Sequence, residues 1–139
     1  MPKAKLLTSN SIAQKYRTIL RGVGKISLYL HLNNKRMKLI ELNIGRIVEL
    51  CKKYRVKRLF VFGSILTDRF NAESDVDFSV DFDRESIEKE KLDWADIFFG
   101  LIDELQALLG RKVDLVVDSN VTNSYFRKQL DATKQLIYG

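Results

Sequence analysis

Two aspartates, Asp75 and Asp77, lie two residues apart in a stretch where apolar and polar residues alternate. Residues at positions i and i+2 of a strand point to the same face, so we expect the two carboxylates to converge. Such a pair repels itself unless a proton or a cation neutralises it, and Mg²⁺ prefers hard oxygen ligands of this kind. The spacing alone is a weak signal, because Asp81 and Asp83 form a second Asp-x-Asp pair.

A third acid and a Gly-Ser dipeptide strengthen the prediction. Asp114 stands alone in an apolar run, where a carboxylate is costly to bury unless it pairs with a charge or a metal. If its strand neighbours the one that carries Asp77, the three carboxylates can meet. Upstream, Gly63 and Ser64 end another apolar run; glycine lets a phosphate approach the backbone, and serine adds a hydroxyl donor.

Hydrophobic periodicity predicts the elements that position these residues. Helical spacing, alternation and short apolar runs indicate the order helix, strand, strand, helix, strand, helix. This order suggests a small α/β sheet that is covered by helices. The predicted helices cover 38–54, 93–109 and 123–130, and the predicted strands cover 58–62, 75–82 and 112–117. A further short helix is predicted over 9–20, and residues 26–32 stay open between strand and helix.

The helix predicted over 93–109 carries a stripe of large apolar side chains that we expect to face the core, and Gly110 is its expected stop. The stripe consists of Trp94, Phe98, Leu101 and Leu105. Phe99 falls off this stripe and, if exposed, is a candidate contact for a partner protein.

The composition excludes several classes of protein. Among 139 residues, 45% are hydrophobic and 30% are charged, which is typical of a globular domain. A single cysteine and a single histidine, Cys51 and His31, exclude an internal disulfide framework and a zinc site built from these residues. No apolar run approaches the roughly 18 residues of a membrane span. We therefore expect a cytoplasmic protein without a membrane partner.

Positive charge is concentrated at the N-terminal end. Residues 1–40 carry nine basic side chains and no acidic one, whereas residues 41–139 carry 15 basic and 18 acidic side chains. This pattern predicts a basic extension over 1–37 and a separate domain over 38–139. The extension can contact nucleic acid through phosphates, but we rank that interpretation below a solvated extension or a start at Met37.

The combination of motifs resembles the minimal nucleotidyltransferases of the polymerase-β-like superfamily. The matching stretches are Val-Phe-Gly-Ser at 61–64, Ser-Asp-Val-Asp-Phe at 74–78 and Val-Asp-Leu-Val at 113–116. The closing Leu-Ile-Tyr-Gly at 136–139 is similar to the end of many such small proteins. The resemblance covers residues 38–139 and implies that superfamily's core, a small mixed β-sheet flanked by helices.

Carried over to the acids, the resemblance implies a catalytic metal site. Asp75 and Asp77 would hold Mg²⁺, as two ions bridging the triphosphate of ATP. Asp114 would complete the metal site and help to deprotonate an acceptor hydroxyl. The reaction would be an in-line attack on the α-phosphate with pyrophosphate as the leaving group.

The resemblance also implies a nucleotide-binding set formed by Gly63, Ser64, Arg69 and Ser74. Gly63 and Ser64 would hold the β- and γ-phosphates. Many members follow the Gly-Ser with an arginine and, a few residues later, a glycine, whereas residues 65–68 here are Ile-Leu-Thr-Asp. Arg69 is the candidate for the missing positive charge.

Each candidate also has a purely structural interpretation. Asp75 and Asp77 can be a solvated strand start, and Asp114 can be an edge-strand acid that faces water. Ser64 can be a helix N-cap, and Ser74 can brace the turn before the strand.

Small proteins of this kind commonly act as antitoxins beside an all-helical HEPN ribonuclease toxin and attach AMP to a tyrosine of that toxin. The resemblance therefore implies a protein adenylyltransferase with a HEPN-type partner, in a type VII-like toxin–antitoxin pair. Two alternatives stay open. One is adenylylation of a small molecule such as an aminoglycoside, which usually needs an additional domain. The other is a binding antitoxin that acts by occlusion, against which the presence of all three acids weighs.

Overall fold

The computed structural model describes residues 37–139. The predicted basic extension, except for its last residue Met37, lies outside the described residues, as do the predicted helix over 9–20 and the segment 26–32. Met37 itself is fully buried and packs in the core of the domain. No helix of the described part of the chain is long and apolar enough to span a membrane.

Five helices and four strands form the described part of the chain. The helices are α1 (Lys38–Leu42), α2 (Ile44–Lys53), α3 (Arg84–Lys89), α4 (Trp94–Leu109) and α5 (Ser124–Thr133). The strands are β1 (Val56–Phe62), β2 (Val76–Phe82), β3 (Val113–Val117) and β4 (Gln135–Tyr138). Single 3₁₀ turns follow β1 and β3, at Gly63–Leu66 and Asp118–Asn120.

The four strands form one mixed sheet in the order β3-β2-β1-β4. Strand β1 runs antiparallel to both β2 and β4, whereas β2 and β3 are parallel. The predicted small mixed sheet flanked by helices is therefore confirmed. Because side chains alternate along each strand, residues that are direct register partners on β2 and β3 share the same face.

The two faces of the sheet differ in polarity because the side chains alternate. On one face, Val61 of β1 and Phe78 of β2 are fully buried beneath α2 and α4. The opposite face carries Asp77 of β2 and Asp114 of β3, and we call it the carboxylate face. Helix α5 is attached to this second face, since the ring of Phe126 lies 5.9 Å from that of Phe62.

Most predicted elements are present, with local differences. The helix predicted over 38–54 is divided at Asn43, whose side-chain amide donates to the backbone carbonyl of Leu39 at 2.8 Å. Gly110 ends α4 with a positive φ of 67°, as predicted. Helix α3 and strand β4 were not predicted, because six and four residues are too short for a clear period.

One core prediction is wrong at the start of α4. Leu101 and Leu105 are fully buried, but Trp94 is 37% exposed. It lies at the first helical position, packs edge-on against Phe82 and is covered on one side by the guanidinium of Arg84. An aromatic ring at a helix terminus can thus follow the apolar period and still keep one side in solvent.

Candidate active site

The register of β2 and β3 places two of the candidate acids side by side. Asp77 and Asp114 are direct partners across the parallel pair. Their carboxyl groups are hydrogen-bonding neighbours, although they are 37 positions apart in the sequence. Asp114 is exposed on the edge strand, as its structural interpretation proposed, and at the same time contacts the more buried Asp77.

Asp75 directly precedes β2 and brings a third negative charge to the same site. Its charge acts on Asp77, and its Oδ2 lies 4.0 Å from the ammonium nitrogen of Lys112. Lys112 precedes β3 and is largely exposed. A lysine thus stands at the edge of the acidic site, where it offsets part of the negative charge.

Gly63 lies directly against the side chain of Asp77. It begins the 3₁₀ turn after β1 with a positive φ of 79°. A methyl group in place of its hydrogen would overlap the Asp77 carboxylate, so the backbone approaches this acid as closely as only glycine allows. The group that approaches Gly63 in this structure is the carboxylate of Asp77, and the approach of a phosphate to this glycine stays a prediction.

The electrostatics of the site are dominated by repulsion and burial. The pKa of Asp77 is raised to about 6, first by burial and then by the charge and hydrogen bond of Asp114, with a smaller effect of Asp75. Burial and the neighbouring carboxylates disfavour the charged form of Asp77, so a cation bound beside it would relieve part of this cost.

The donor set fits Mg²⁺ that arrives with a phosphate ligand. Within residues 37–139, no three acidic, histidine or cysteine side chains form a complete cage for a metal ion. Mg²⁺ rarely uses such a cage; it is usually held by one or two carboxylates together with substrate phosphates and water. Asp77 and Asp114 would supply the carboxylates, with Asp75 as a further oxygen donor nearby, and phosphate oxygens would complete the shell.

The raised pKa of Asp77 leads to a prediction about stability without divalent cations. A carboxyl that binds its proton more tightly in the folded state stabilises the fold below pH about 4, and this contribution is lost as the pH rises through about 6. Asp77→Asn removes the titration. We therefore expect the variant to match the parent at pH 4 and to exceed it at pH 7 by on the order of 1–2 kcal/mol.

Urea denaturation of both proteins in a chelator, at several pH values between 4 and 7, measures this difference. Other acids with shifted pKa values, such as Asp118, contribute equally to both proteins and cancel. A constant difference across the pH range would contradict the assignment of the raised pKa to Asp77.

The four candidate nucleotide-binding residues lie in different surroundings. Ser64 lies inside the 3₁₀ turn, so its interpretation as a helix N-cap is wrong, because no helix begins there. Its backbone carbonyl accepts the amide and the hydroxyl of Thr67, both at 2.8 Å. Ser74 braces the turn as proposed, since its hydroxyl accepts the amide of Asn71 at 2.9 Å. Arg69 is exposed.

Sequence reasoning missed two basic residues that border the acids, Arg111 and Lys112. Arg111 contacts the loop before β2, and Lys112 approaches Asp75. The signal was available, because both residues lie between the glycine that ends α4 and the strand that carries Asp114. They received no role because the resemblance places the expected arginine directly after the Gly-Ser instead.

A charged network attaches α5 to the carboxylate face beyond the acids. The buried hydroxyl of Ser79, two residues after Asp77, donates to Asp118 at 2.8 Å. Asp118 also accepts from Arg127 at 3.0 Å and from Lys134 at 3.1 Å. The acidic face predicted for β2 is thus partly covered by protein, and its serine faces a carboxylate instead of water.

Comparison with protein families agrees with this geometry. A model of the family described as "Polymerase beta, Nucleotidyltransferase" matches residues 45–139. The chain belongs to this family. The resemblance inferred from the motifs is therefore confirmed, and the protein is a nucleotidyltransferase.

Curated relatives of this nucleotidyltransferase occur in Methanocaldococcus jannaschii. MJ0128, which carries the name of a protein adenylyltransferase, is 38% identical over 87 residues, which are 63% of this chain and 80% of the relative. MJ1379 carries the same kind of name and is 34% identical over 86 residues, 62% of this chain and 79% of the relative.

Solved structures share the fold of this nucleotidyltransferase. A structure described as a minimal nucleotidyltransferase has a TM-score of 0.56 at 23% identity, with 71% of this chain and 93% of the other covered. A crystal structure of a toxin–antitoxin with AMP-PNP has a TM-score of 0.54 at 22% identity, with 70% of this chain and 74% of the other covered.

Proposed function

We propose that this nucleotidyltransferase is a Mg²⁺-dependent adenylyltransferase that moves AMP from ATP to a tyrosine hydroxyl of a helical, HEPN-type toxin. It would act as the antitoxin of a type VII-like toxin–antitoxin pair. The observation that carries the proposal is the contact between Asp77 and Asp114 across β2 and β3, with Asp75 beside them.

Asp77 and Asp114 are expected to have different roles because their surroundings differ. The partly buried Asp77, held against the backbone of Gly63, would be the fixed ligand of the metal ion. The exposed Asp114 is accessible to an acceptor hydroxyl and takes its proton. The acceptor oxygen forms a bond to the α-phosphorus while the bond from that phosphorus to the bridging oxygen breaks, and pyrophosphate leaves with the electron pair.

Mg²⁺, when bound, would neutralise the charge that develops on the attacking and departing oxygens. Gly63 and Ser64 would orient the β- and γ-phosphates at the 3₁₀ turn, with Ser74 and Arg69 at the border of the site. Lys112 adds a positive charge close to Asp75, where residues 65–68 lack the arginine of many relatives. Such a site works mainly by positioning and charge.

A protein acceptor is favoured by the comparisons. The curated relatives are named for the adenylylation of proteins, and one structural neighbour is a toxin–antitoxin with AMP-PNP. Phe99 of α4 is 59% exposed, so it is available for the contact with a partner protein that the sequence suggested. Adenylylation of a small molecule is the second candidate, and it shares every catalytic residue with the first.

The experiment that tests this proposal is labelling in an extract of the organism that encodes the chain. The purified protein, Mg²⁺ and ATP labelled at the α-phosphate are added, and proteins and small molecules are analysed separately. We expect one labelled protein band, and mass spectrometry should locate AMP on a tyrosine. Label found only on a small molecule would overturn the protein acceptor and favour the second candidate.

Two variants make the labelling specific. Asp77→Asn should give no label, because it removes the central carboxylate. Asp81→Asn is the matched control, since Asp81 lies four residues further along β2 and pairs with Arg58 at 2.6 Å, away from the site. Loss of labelling in both variants would mean that any aspartate change on β2 disturbs the fold.

A further inference from the structure

A loop of nine residues, Thr67–Asp75, joins the 3₁₀ turn to β2 and ends on one of the candidate metal ligands; we call it the Asp75 loop. It is organised by short-range hydrogen bonds. The side chain of Asn71 accepts the amide of Glu73 at 2.8 Å, and the amide of Ser74 donates to the carbonyl of Asn71 at 3.1 Å. These bonds shape the loop, but they do not fix its position relative to β3.

Arg111 makes that connection from outside the loop. Its Nη1 donates to the backbone carbonyl of Asn71 at 2.8 Å and to that of Ser74 at 2.9 Å. The guanidinium also lies over the ring of Phe70, 4.6 Å from its centroid. One side chain thus contacts three residues of the loop, and the last of them directly precedes Asp75.

The other end of Arg111 is fixed by the fold. Gly110 ends α4 in the left-handed conformation, and β3 begins at Val113, so the arginine stands at a defined corner. One residue later, the carbonyl of Lys112 accepts the amide of Val76 at 3.0 Å, which starts the pairing of β2 with β3. Arg111 therefore links the segment that carries Asp75 to the strand that carries Asp114.

We propose that Arg111 is a positioning residue that holds the Asp75 loop against the start of β3 and thereby sets the place of Asp75 relative to Asp77 and Asp114. The inference deepens the proposed function, on which its catalytic consequence rests. A planar guanidinium suits this task because it contacts a carbonyl pair at its edge and an aromatic ring at its face. A lysine ammonium is a point charge and cannot do both in the same geometry.

The test compares Arg111→Ala and Arg111→Lys with Arg84→Ala. Arg84 is a matched control because it also covers an aromatic ring, that of Trp94, and donates to the side chain of Ser119. It lies just after the end of β2, whereas Asp75 and Asp77 lie at its start. All variants are measured for AMP transfer over a range of Mg²⁺ concentrations, for thermal stability, and for amide hydrogen exchange without metal.

We expect Arg111→Ala to lower kcat/KM by about 10- to 100-fold and to raise the Mg²⁺ concentration for half-maximal activity by about tenfold, because Asp75 is misplaced. The amides of the Asp75 loop should exchange faster in this variant, while those of α4 and β1 should not change. Arg111→Lys should lie between the parent and the alanine variant, and Arg84→Ala should match the parent.

A purely structural role would lower the thermal stability, but the protein that stays folded would transfer AMP with the same Mg²⁺ dependence as the parent. That result would overturn the proposal. Full activity of Arg111→Lys would overturn it as well, because charge alone would then suffice. If the parent chain transfers no AMP, the proposed function fails, and the comparison of loop exchange still decides whether Arg111 holds the loop. Unchanged exchange in both Arg111 variants would refute that.

Discussion

Asp77→Asn is expected to lower nucleotidyl transfer by about 10³-fold or more while the chain stays folded. The variant keeps the volume of the side chain and its contact with Gly63, but it removes the charge at the centre of the acidic site. Loss of the proposed metal ligand would remove about 4 kcal/mol of transition-state stabilisation, which corresponds to this factor. Steady-state release of pyrophosphate and transfer of AMP both measure it.

The same substitution distinguishes a catalytic role from a structural one. A residue that only stabilises the fold lowers activity and stability together. Here the repulsion between Asp77 and Asp114 is relieved, so the apo variant should be more stable at neutral pH and inactive at the same time. An active Asp77→Asn variant, or an inactive one that is also less stable at pH 7, would contradict the assignment.

Gly63→Ala is the second prediction with a large effect. The residue has a φ of 79°, so any side chain meets backbone strain of about 1 kcal/mol. The added methyl group also overlaps the Asp77 carboxylate, which must then move away from Asp114. A displacement of this kind can cost about 100-fold in rate, and we expect at least that loss of AMP transfer.

Gly110→Ala separates these two effects. Gly110 has a similar φ of 67°, but an added methyl group there meets no atom within 4 Å. We expect the control to lose about 1 kcal/mol of unfolding free energy and to keep its activity. Chemical denaturation and initial rates are measured on both variants. Equal activity of Gly63→Ala and Gly110→Ala would contradict a role in AMP transfer for the packing of Gly63 against Asp77.

Much of this architecture could be predicted from the sequence because the strongest signals are local. The alternation of β2 places Asp77 on one face and Phe78 on the other, and the glycine after α4 predicts its end. The lone Asp114 in an apolar strand was informative because a buried carboxylate there would be costly, but its side chain is exposed on the edge strand. Its place beside Asp77 comes from the parallel register of β2 and β3.

The remaining features depend on contacts that no local pattern encodes. The four residues of β4 are too few for a clear period, and their strand character comes from pairing with β1. Arg111 is an ordinary surface residue in the sequence, and its contact with the Asp75 loop depends on the packing of β2 against β3. Ser79 faces Asp118 for the same reason, 39 residues away.

We propose that Asp75, Asp77 and Asp114 direct the transfer of AMP to an acceptor and the release of pyrophosphate. The most direct test uses ATP labelled at the α-phosphate in one reaction and at the γ-phosphate in another, with Mg²⁺ and an extract of the organism that encodes the chain. We expect that the acceptor retains only the α label, that pyrophosphate appears in equal amount, and that Asp77→Asn gives neither product. Transfer of the γ label, or equal transfer of the α label by parent and Asp77→Asn, would contradict it.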